Sequence, residues 1–323
     1  MIPLHTLPIR TAGAAENMAL DFLLLQRYPA PTAARFRHYE WHTAAFTFGL
    51  SQTMDYVHAN LPLGETFDLC RRPTGGGIVD HRNDWTYCLV IPRAHELFDA
   101  SAVQAYREVH AALAAAMRIM GEPVALQEKR HPTEEGPTIC FERPELYDVL
   151  NTATGAKIAG AAMKRNKHGL LLQGSIEKSR VGPLDWEKFQ DLFTTEIGRA
   201  LGAETVPTPW PELNEDEVGG LVEQYSSVEW MENRLGLFVG RDHRSRLWRA
   251  RVPASRPAET RALHRTNRRG QRPRPTAFFP KKQAPRRSRV PFLLRRRPGG
   301  RDFNAQGRFY ERHSTRMAAR VAV

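Results

Sequence analysis

The residues best suited to bind a ligand lie in one short stretch, Arg71–His81, where two arginines lead into three consecutive glycines. Glycine accepts positive φ and lets backbone amides converge on an anion or a carbonyl oxygen, and arginine adds fixed donors for a carboxylate or a phosphate. The stretch predicts a binding loop, with a glycine-rich turn and a solvated arginine pair as the alternative. The candidate ligand-contacting residues are Arg71, Arg72, Thr74, Gly75, Gly76, Gly77 and His81.

Two further side chains have types that suit acyl chemistry. Lys157 lies in a glycine-rich segment with Gly160, where an ammonium can stabilise a developing oxyanion or a thiolate. The alternative for Lys157 is a solvated lysine at a strand end. Cys140 lies in a Pro-flanked segment seventeen residues before Lys157. A lone cysteine is more often a small buried hydrophobe, and packing is the simpler explanation for Cys70 and Cys88.

Composition places the chain among globular proteins and excludes several classes. Its 323 residues are 41% apolar, enough for a substantial core. We expect cytoplasmic location and no membrane span, because the N-terminus has no signal-peptide pattern and no run reaches eighteen apolar residues. Three widely spaced cysteines predict reduced thiols rather than a disulfide framework or a Cys-rich metal site.

Positive charge is concentrated at one end of the chain. Residues 235–323 contain 25 Lys and Arg against 4 Asp and Glu, whereas residues 1–234 contain 22 against 31. The tail is rich in Arg and Pro and has no apolar periodicity, which predicts disorder. A nucleic-acid-binding arm is one interpretation, and translation of a GC-rich gene in the wrong frame is the one we favour. The sequence therefore predicts a catalytic domain in 1–234 and a tail in 235–323.

Helices and strands alternate in the first 234 residues. Apolar spacing and end signals predict helices over 16–25, 102–120 and 186–201, and short helices over 214–223 and 228–234. Strands are predicted over 44–50 and 86–92, and a hairpin over 158–176 would present Lys157 at its start. Hairpins with helices inserted between them favour an α+β architecture over a doubly wound parallel sheet.

Five ordered blocks carry a family resemblance. Glu16–Asp21, the segment from Tyr39 to Gln52, the loop Arg71–His81, the segment Gly155–Arg165 and Gly169–Ile176 together resemble the lipoate-protein ligase and octanoyltransferase family, which is related to biotin protein ligases. The resemblance ends near Trp230. It implies an α+β fold with a mixed, mainly antiparallel sheet flanked by helices, and it makes the segment from Tyr39 to Gln52 the family's first hairpin.

The segment around Cys140 resembles the corresponding segment of the octanoyltransferase branch, whose members use a thiol nucleophile. The resemblance implies that Cys140 and Lys157 are catalytic and that Lys157 lowers the pKa of the thiol. An octanoyl or lipoyl group would pass from an acyl carrier protein to Cys140, and then to a lysine of a lipoyl domain or of the glycine cleavage H protein. This transfer requires no cofactor and no metal.

Three other functions remain open from the sequence. A biotin ligase is one of them, although the two arginines and three glycines of the loop resemble the lipoate side of the family more. An ATP-dependent lipoate-protein ligase would use the same loop and Lys157, with ATP and magnesium, and with Arg71 and Arg72 on the phosphate. A binding protein of degenerate transferase fold would use the basic tail, if that tail is genuine, to bind nucleic acid. Three departures from the family pattern, Arg82, Met163 and Gln173, leave the donor and the accepted chain length open.

Overall fold

A computed structural model describes residues 1–129 and 141–234 of the chain. The described part has an α+β fold, as predicted. Its strands are β1 (Ile2–Thr6), β2 (Arg10–Ala12), β3 (Ala34–Trp41), β4 (Ala45–Phe48), β5 (Asp68–Arg71), β6 (Ile78–Asp80), β7 (Asp84–Pro92), β8 (Val124–Leu126), β9 (Val149–Asn151), β10 (Lys157–Asn166), β11 (Gly169–Glu177) and β12 (Ala203–Pro207). Its helices are α1 (Ala14–Gln26), α2 (Met54–Ala59), α3 (Glu96–Asp99), α4 (Ala102–Ile119), α5 (Trp186–Ala200), α6 (Glu215–Ser226) and α7 (Val228–Asn233). The predictions for Cys140 and for residues 235–323 lie outside the described residues.

Nine strands form one large sheet, in the order β12-β1-β3-β7-β11-β10-β9-β8, with β2 paired to β3. The centre, from β3 through β7 and β11 to β10, is antiparallel throughout. Parallel pairs occur only at the side where β1 contacts β3 and β12, and between β2 and β3. The sheet is therefore mixed and mainly antiparallel, as expected.

Both faces of this sheet are covered, which explains why β7 is buried along its whole length. Successive strand residues point to opposite faces. Accordingly Tyr87, Leu89 and Ile91 pack with α4 and α5, whereas Cys88 and Val90 pack with α1 and α6. A strand buried on both faces shows a continuous apolar run rather than an alternating one.

The long helices have clear signals at their ends. Ser101 caps α4 by accepting a hydrogen bond from the Gln104 amide at 3.1 Å, and Asp185 caps α5 by accepting one from Lys188 at 3.1 Å. Gly121, with a φ of +93°, ends the turn after α4. The predicted helices over 16–25, 102–120, 186–201, 214–223 and 228–234 are confirmed within a few residues.

A second, three-stranded sheet in the order β5-β4-β6 carries the glycine loop. The loop connects β5 to β6, so both of its ends are fixed by hydrogen bonds to β4. The predicted first hairpin, from Tyr39 to Gln52, is wrong. β3 lies in the large sheet and β4 in the small one, because the short turn after Trp41 passes the chain from one sheet to the other.

No helix in the part of the chain that the structure describes combines the length and apolarity needed to cross a membrane.

Candidate active site

Arg72 holds the glycine loop from within. Its Nη2 donates to the carbonyl oxygens of Gly75 and Gly77, both at 2.9 Å, and its Nη1 donates to the Thr47 hydroxyl at 2.8 Å. Gly76 has a φ of +90°, which favours glycine. Arg72 is thus a loop-shaping residue that also lines the pocket described below.

Gly49 allows the loop to approach β4, and the sequence analysis did not single it out. A Cβ at Gly49 would lie 2.1 Å from the Gly76 oxygen, so any side chain would displace the loop. In the sequence Gly49 is simply a glycine after a predicted strand. Nothing local indicates the close approach, because the contacting residue is 27 positions away.

Arg71 is directed away from the loop. Its Nη1 donates to the carbonyls of Leu50 at 3.0 Å and Gln52 at 2.8 Å, and its Nε donates to that of Met231 at 2.9 Å. The Nη2 also contacts the Met231 oxygen. The guanidinium is wholly buried and lies over the Phe48 ring. Although the sequence pairs Arg71 with Arg72, Arg71 joins the small sheet to α7.

His81 lies in a row of hydrogen bonds. Its Nδ1 is 2.7 Å from Asp84 Oδ2 and its Nε2 is 2.7 Å from the Thr47 hydroxyl. Because a carboxylate only accepts, Nδ1 carries the proton and Nε2 accepts from Thr47. Trp41 stacks on the His81 ring with centroids 4.2 Å apart. This row fixes both the orientation and the tautomer of His81.

Asp84 is held ionised by its surroundings. Burial by itself would raise the pKa of its carboxyl, but attraction to His81 and hydrogen bonds from His81, Ser175 and Thr86 lower that pKa overall. The Thr86 hydroxyl donates at 2.7 Å and the Ser175 hydroxyl at 2.5 Å, both to Oδ2. Asp84 therefore presents a stable negative charge to His81.

Thr74 connects the glycine loop to the large sheet. Its hydroxyl donates to Gln173 Oε1 at 2.8 Å, and Gln173 Nε2 donates to Asp21 Oδ2 at 2.7 Å. Asp21 forms a buried ion pair with Arg37, with Nη2 and Oδ1 2.6 Å apart. Gln173, at one of the three positions that depart from the family pattern, thus has both ends of its amide bound within the protein.

Lys157 begins β10, as predicted, and is paired with a carboxylate that the sequence analysis missed. Its Nζ lies 2.7 Å from Asp148 Oδ2, with the side chains 5% and 0% exposed. The Tyr106 hydroxyl donates to Asp148 Oδ1, and the Glu145 amide donates to Oδ2 at 2.6 Å. Asp148 had no spacing signal, because it lies just before β9 and meets Lys157 only when β9 pairs with β10.

Gly160 leaves room for the Lys157 side chain. A Cβ at Gly160 would lie 2.9 Å from Lys157 Cε and 3.0 Å from Nζ. The Lys157 side chain thus runs along its own strand, past Gly160, to reach Asp148. This is the physical reason for a glycine three residues after the lysine.

Phe141 lies against the Lys157 ammonium. Nζ is 5.9 Å from the centroid of the Phe141 ring, within the range of a cation–π contact. Arg180 fixes the backbone on both sides, because its Nη1 donates to the Phe141 carbonyl at 2.8 Å and to the Lys157 carbonyl at 3.0 Å. Cys140 itself lies outside the described residues.

A small cavity of about 40 Å³ lies between several of these groups. We call it the inner pocket. Its walls are the loop with Arg72 and Gly76, the row with Thr47 and His81, and the start of β10 with Gly160. Met18 and Gln173 line it as well. Of the candidate residues, Arg72, Gly76, His81 and Gly160 line the pocket together, whereas Arg71 binds the backbone elsewhere.

The two described cysteines are poor nucleophiles. Cys70 and Cys88 are almost wholly buried, at 0% and 1% exposure. Burial raises the pKa of Cys70 to about 12, and burial followed by the charge of Asp21 raises the pKa of Cys88 well above its usual value. At neutral pH both remain thiols, in agreement with a packing role. In the same described ranges no group of His, Cys, Asp and Glu is arranged to hold a metal ion.

The fold defines a domain of α+β class, in which the glycine loop and the start of β10 line one cavity. A family model described as the lipoyl protein ligase A/B catalytic domain matches residues 13–195, and the chain belongs to that family.

Similar proteins fall into two groups. An octanoyltransferase LipM of Symbiobacterium thermophilum is 29% identical over 260 residues, which cover 67% of this chain and 93% of that protein. An octanoyltransferase LipM of Oceanobacillus iheyensis is 36% identical, with 56% of this chain and 64% of that protein covered. A putative lipoate protein ligase from T. acidophilum, solved with bound lipoic acid, has a TM-score of 0.56 at 19% identity, covering 71% of this chain and 99% of that one. A lipoate-protein ligase A solved with ATP has a TM-score of 0.55 at 18% identity, covering 71% and 98%. At these identities the solved structures establish the fold.

Proposed function

We propose that this protein is an octanoyltransferase of lipoate attachment. It would move an octanoyl group from the thioester of an acyl carrier protein to Cys140, and then to a lysine of a lipoyl domain. The observation that carries the proposal is the contact of the Lys157 ammonium with Phe141, the residue that follows Cys140 in the chain.

The first transfer exchanges one thioester for another. The Cys140 thiolate attacks the carbonyl carbon of the octanoyl thioester and forms a new C–S bond. The carbonyl oxygen becomes an oxyanion, and its collapse breaks the C–S bond to the carrier, which leaves as a thiolate and takes a proton from water. Neither oxidation nor nucleotide is involved, because the two thioesters have similar energies. The second transfer forms the amide with the acceptor lysine.

Lys157 acts in this scheme as a fixed hydrogen-bond donor. Asp148 offsets much of the field that a lone ammonium would exert on a thiolate, but it also holds Nζ in one position. A group held in place before the reaction needs little reorganisation when negative charge develops on sulfur or on the oxyanion. We therefore assign Asp148 and Tyr106 as residues that position Lys157.

The glycine loop supplies a candidate oxyanion donor. The Gly75 carbonyl points toward Arg72. In a planar trans peptide the N–H of the next residue points the opposite way. The Gly76 N–H is therefore directed away from the guanidinium, and Gly76 lines the inner pocket.

The contacts of Arg71 weigh against the ligase alternative. Binding of ATP by the arginine pair would need Arg71 donors on the phosphate, but these donors bind the carbonyls of Leu50, Gln52 and Met231. The acyl carrier protein as donor and the lipoyl domain or the H protein as acceptor belong to this proposal, as does the absence of a requirement for ATP and magnesium.

Mass spectrometry of the intact protein tests the proposal. We expect the full chain, mixed with octanoyl carrier protein and no nucleotide, to gain one octanoyl group on Cys140. Cys140→Ala should gain none, and Cys70→Ala, which removes a buried thiol, should be loaded like the wild type. Lys157→Met should load much more slowly than Lys164→Met, a change on the same strand outside the ion pair. Loading of Cys140→Ala at the wild-type rate would refute the proposal.

A further inference from the structure

Strand β10 has an unpaired edge close to the candidate active site. On one side β10 pairs with β11 from Ala159 to Asn166. On the other side β9 pairs only with Lys157 and Ala159. Among the described strands, none pairs with that side of β10 beyond Ala159. Residues 160–166 therefore have the backbone of an edge strand.

The direction of the backbone groups along this edge follows from one hydrogen bond. The Ala161 amide donates to the Tyr106 hydroxyl at 3.0 Å, so it points away from β11. Because hydrogen-bonded and non-bonded positions alternate along an antiparallel pair, the amides and carbonyls of Met163 and Arg165 also point away from β11. Within the described part of the chain, no group bonds to these four backbone atoms. They can pair with another strand.

The usual protection of an edge strand is missing here. Edges are commonly blocked by a proline, a bulge or a charged side chain. Residues 160–166 contain no proline, and their register with β11 is continuous. The exposed side chain of the stretch, Arg165, is held aside, because its Nη2 donates to the Ala100 carbonyl at 2.7 Å and its guanidinium lies 5.4 Å from the centroid of the Phe98 ring.

The open edge leads into the candidate active site. Tyr106, which binds the Ala161 amide, also donates to Asp148, the partner of Lys157. A strand rises about 3.3 Å per residue, so a segment paired along residues 161–165 would extend roughly 13 Å. One end of that segment would lie beside Tyr106. A lysine at this end would be close to the Lys157 ion pair.

The hairpin that carries the edge is basic, although the domain as a whole is acidic. Residues 157–176 contain four Lys and Arg and no Asp or Glu, whereas residues 1–234 contain 22 Lys and Arg against 31 Asp and Glu. Lys167, in the turn of the hairpin, is exposed. Such a local excess of positive charge favours a partner segment that carries carboxylates.

We propose that the open edge of β10 binds an acidic, extended segment of the acceptor protein as an added strand and so brings the acceptor lysine to the active site. The inference rests on the proposed function. Main-chain hydrogen bonds give an added strand affinity, and only the side-chain contacts depend on its sequence. This suits an enzyme whose proposed acceptors are a lipoyl domain and the H protein.

Hydrogen exchange of the full chain tests the pairing directly. The protein is mixed with saturating unmodified lipoyl domain and no acyl donor, and exchange is measured at single residues. We expect the Met163 and Arg165 amides to exchange roughly tenfold or more slowly in the complex, because they become hydrogen-bonded. The Ala162 and Lys164 amides face β11 already and should change little. Absence of protection by the lipoyl domain, or equal protection by the acyl carrier protein, would overturn the proposal.

A substitution at Met163 tests the same edge through the reaction. Met163→Pro removes an edge donor and spares the hydrogen bonds to β11, because the Met163 amide points away from that strand. Met163→Ala is the matched control, since it changes the same side chain and keeps the amide. Met163→Pro should raise the KM for the lipoyl domain by roughly fivefold or more relative to Met163→Ala, the effect of losing one hydrogen bond. Equal KM values would count against the added strand.

Charge reversal tests the choice of an acidic partner. Lys167→Glu should raise the KM for the lipoyl domain severalfold at low salt, and the defect should shrink in about 1 M salt, where exposed charges are screened. Lys188→Glu, an equal change on the exposed side of α5, is the control and should behave like the wild type. The same KM for both variants at low salt would contradict the proposed charge preference.

The docking proposal and the acyltransferase proposal can fail separately. If the wild type transfers octanoyl groups to the lipoyl domain while the Met163 and Arg165 amides stay unprotected, the docking site is wrong and the acyltransferase stands. If the lipoyl domain protects the edge but Cys140 is never loaded, the docking site stands and the acyltransferase is wrong. Should Met163→Pro fail to fold, the exchange experiment on the wild type still decides.

Discussion

Replacing Asp148 with asparagine tests whether Lys157 is held by a buried ion pair. Both partners are nearly inaccessible, with side chains 5% and 0% exposed. Removing one member of such a pair leaves an uncompensated buried charge, which typically costs about 3–5 kcal/mol. The asparagine amide cannot satisfy all donors, because the Asp148 oxygens accept from Lys157, Tyr106 and the Glu145 amide. We expect a loss of that size.

A loss of this size is a large fraction of the total free energy of unfolding. Domains are commonly stable by about 5–15 kcal/mol, and in a domain of this size each kcal/mol shifts the Tm by about 2–4 °C. Asp148→Asn should therefore lower the Tm by roughly 10 °C in calorimetry or in a thermal melt followed by circular dichroism. Glu217→Gln is the control, because the exposed pair Arg27–Glu217 should contribute less than about 1 kcal/mol.

A double substitution isolates the pair itself. Asp148→Leu combined with Lys157→Met removes both charges, and such replacements are often neutral in stability. The double variant should be more stable than Asp148→Asn and inactive in octanoyl loading. If the free energy of unfolding of Asp148→Asn lies within about 1 kcal/mol of the wild-type value, the ion pair is not buried as described. Its role in positioning Lys157 must then be abandoned.

Three further results are expected. Burial lowers the pKa of His110 to about 4. Between pH 6.5 and 4 the unfolded chain therefore binds more protons than the folded one, and the free energy of unfolding should fall as the pH is lowered through that range. In urea titrations, the stability of His110→Asn should depend less on pH than that of the wild type. Gly174→Ala should lower the Tm sharply, since a Cβ there would lie 2.2 Å from the Tyr87 ring. Gly219→Ala in α6 is the control and should be neutral or stabilising by up to about 1 kcal/mol. If the two variants have the same Tm, the close contact between Gly174 and Tyr87 is wrong. Arg71→Lys should destabilise by roughly 1–3 kcal/mol because buried carbonyls lose donors, and wild-type stability would contradict that role.

Local patterns in the sequence predicted most of the helices and the hairpin that begins at Lys157. Helical spacing and caps are local signals, so α4 and α5 were found within two residues of their ends. The hairpin from Tyr39 to Gln52 was wrong because two nearby β-prone runs look alike whether they pair or enter different sheets. Which sheet a strand joins is decided by contacts far away in the chain.

The same distinction applies to the site. The loop, with His81, and Lys157 were singled out because their residue types cluster along the chain. Asp148 and Thr47 were missed because their partners, Lys157 and His81, are brought to them by the fold. The two adjacent arginines were assigned a shared role, but successive side chains of a strand point to opposite sides. Arg72 consequently shapes the loop while Arg71 binds α7.

The mass of the full chain, after incubation with octanoyl carrier protein in the absence of nucleotide, shows directly whether Cys140 accepts the acyl group. We expect one octanoyl group, located on Cys140 by peptide mapping, and its disappearance when a lipoyl domain is added. Octanoylation of the lipoyl domain only with free octanoate, ATP and magnesium, and with no acyl group on Cys140, would contradict it.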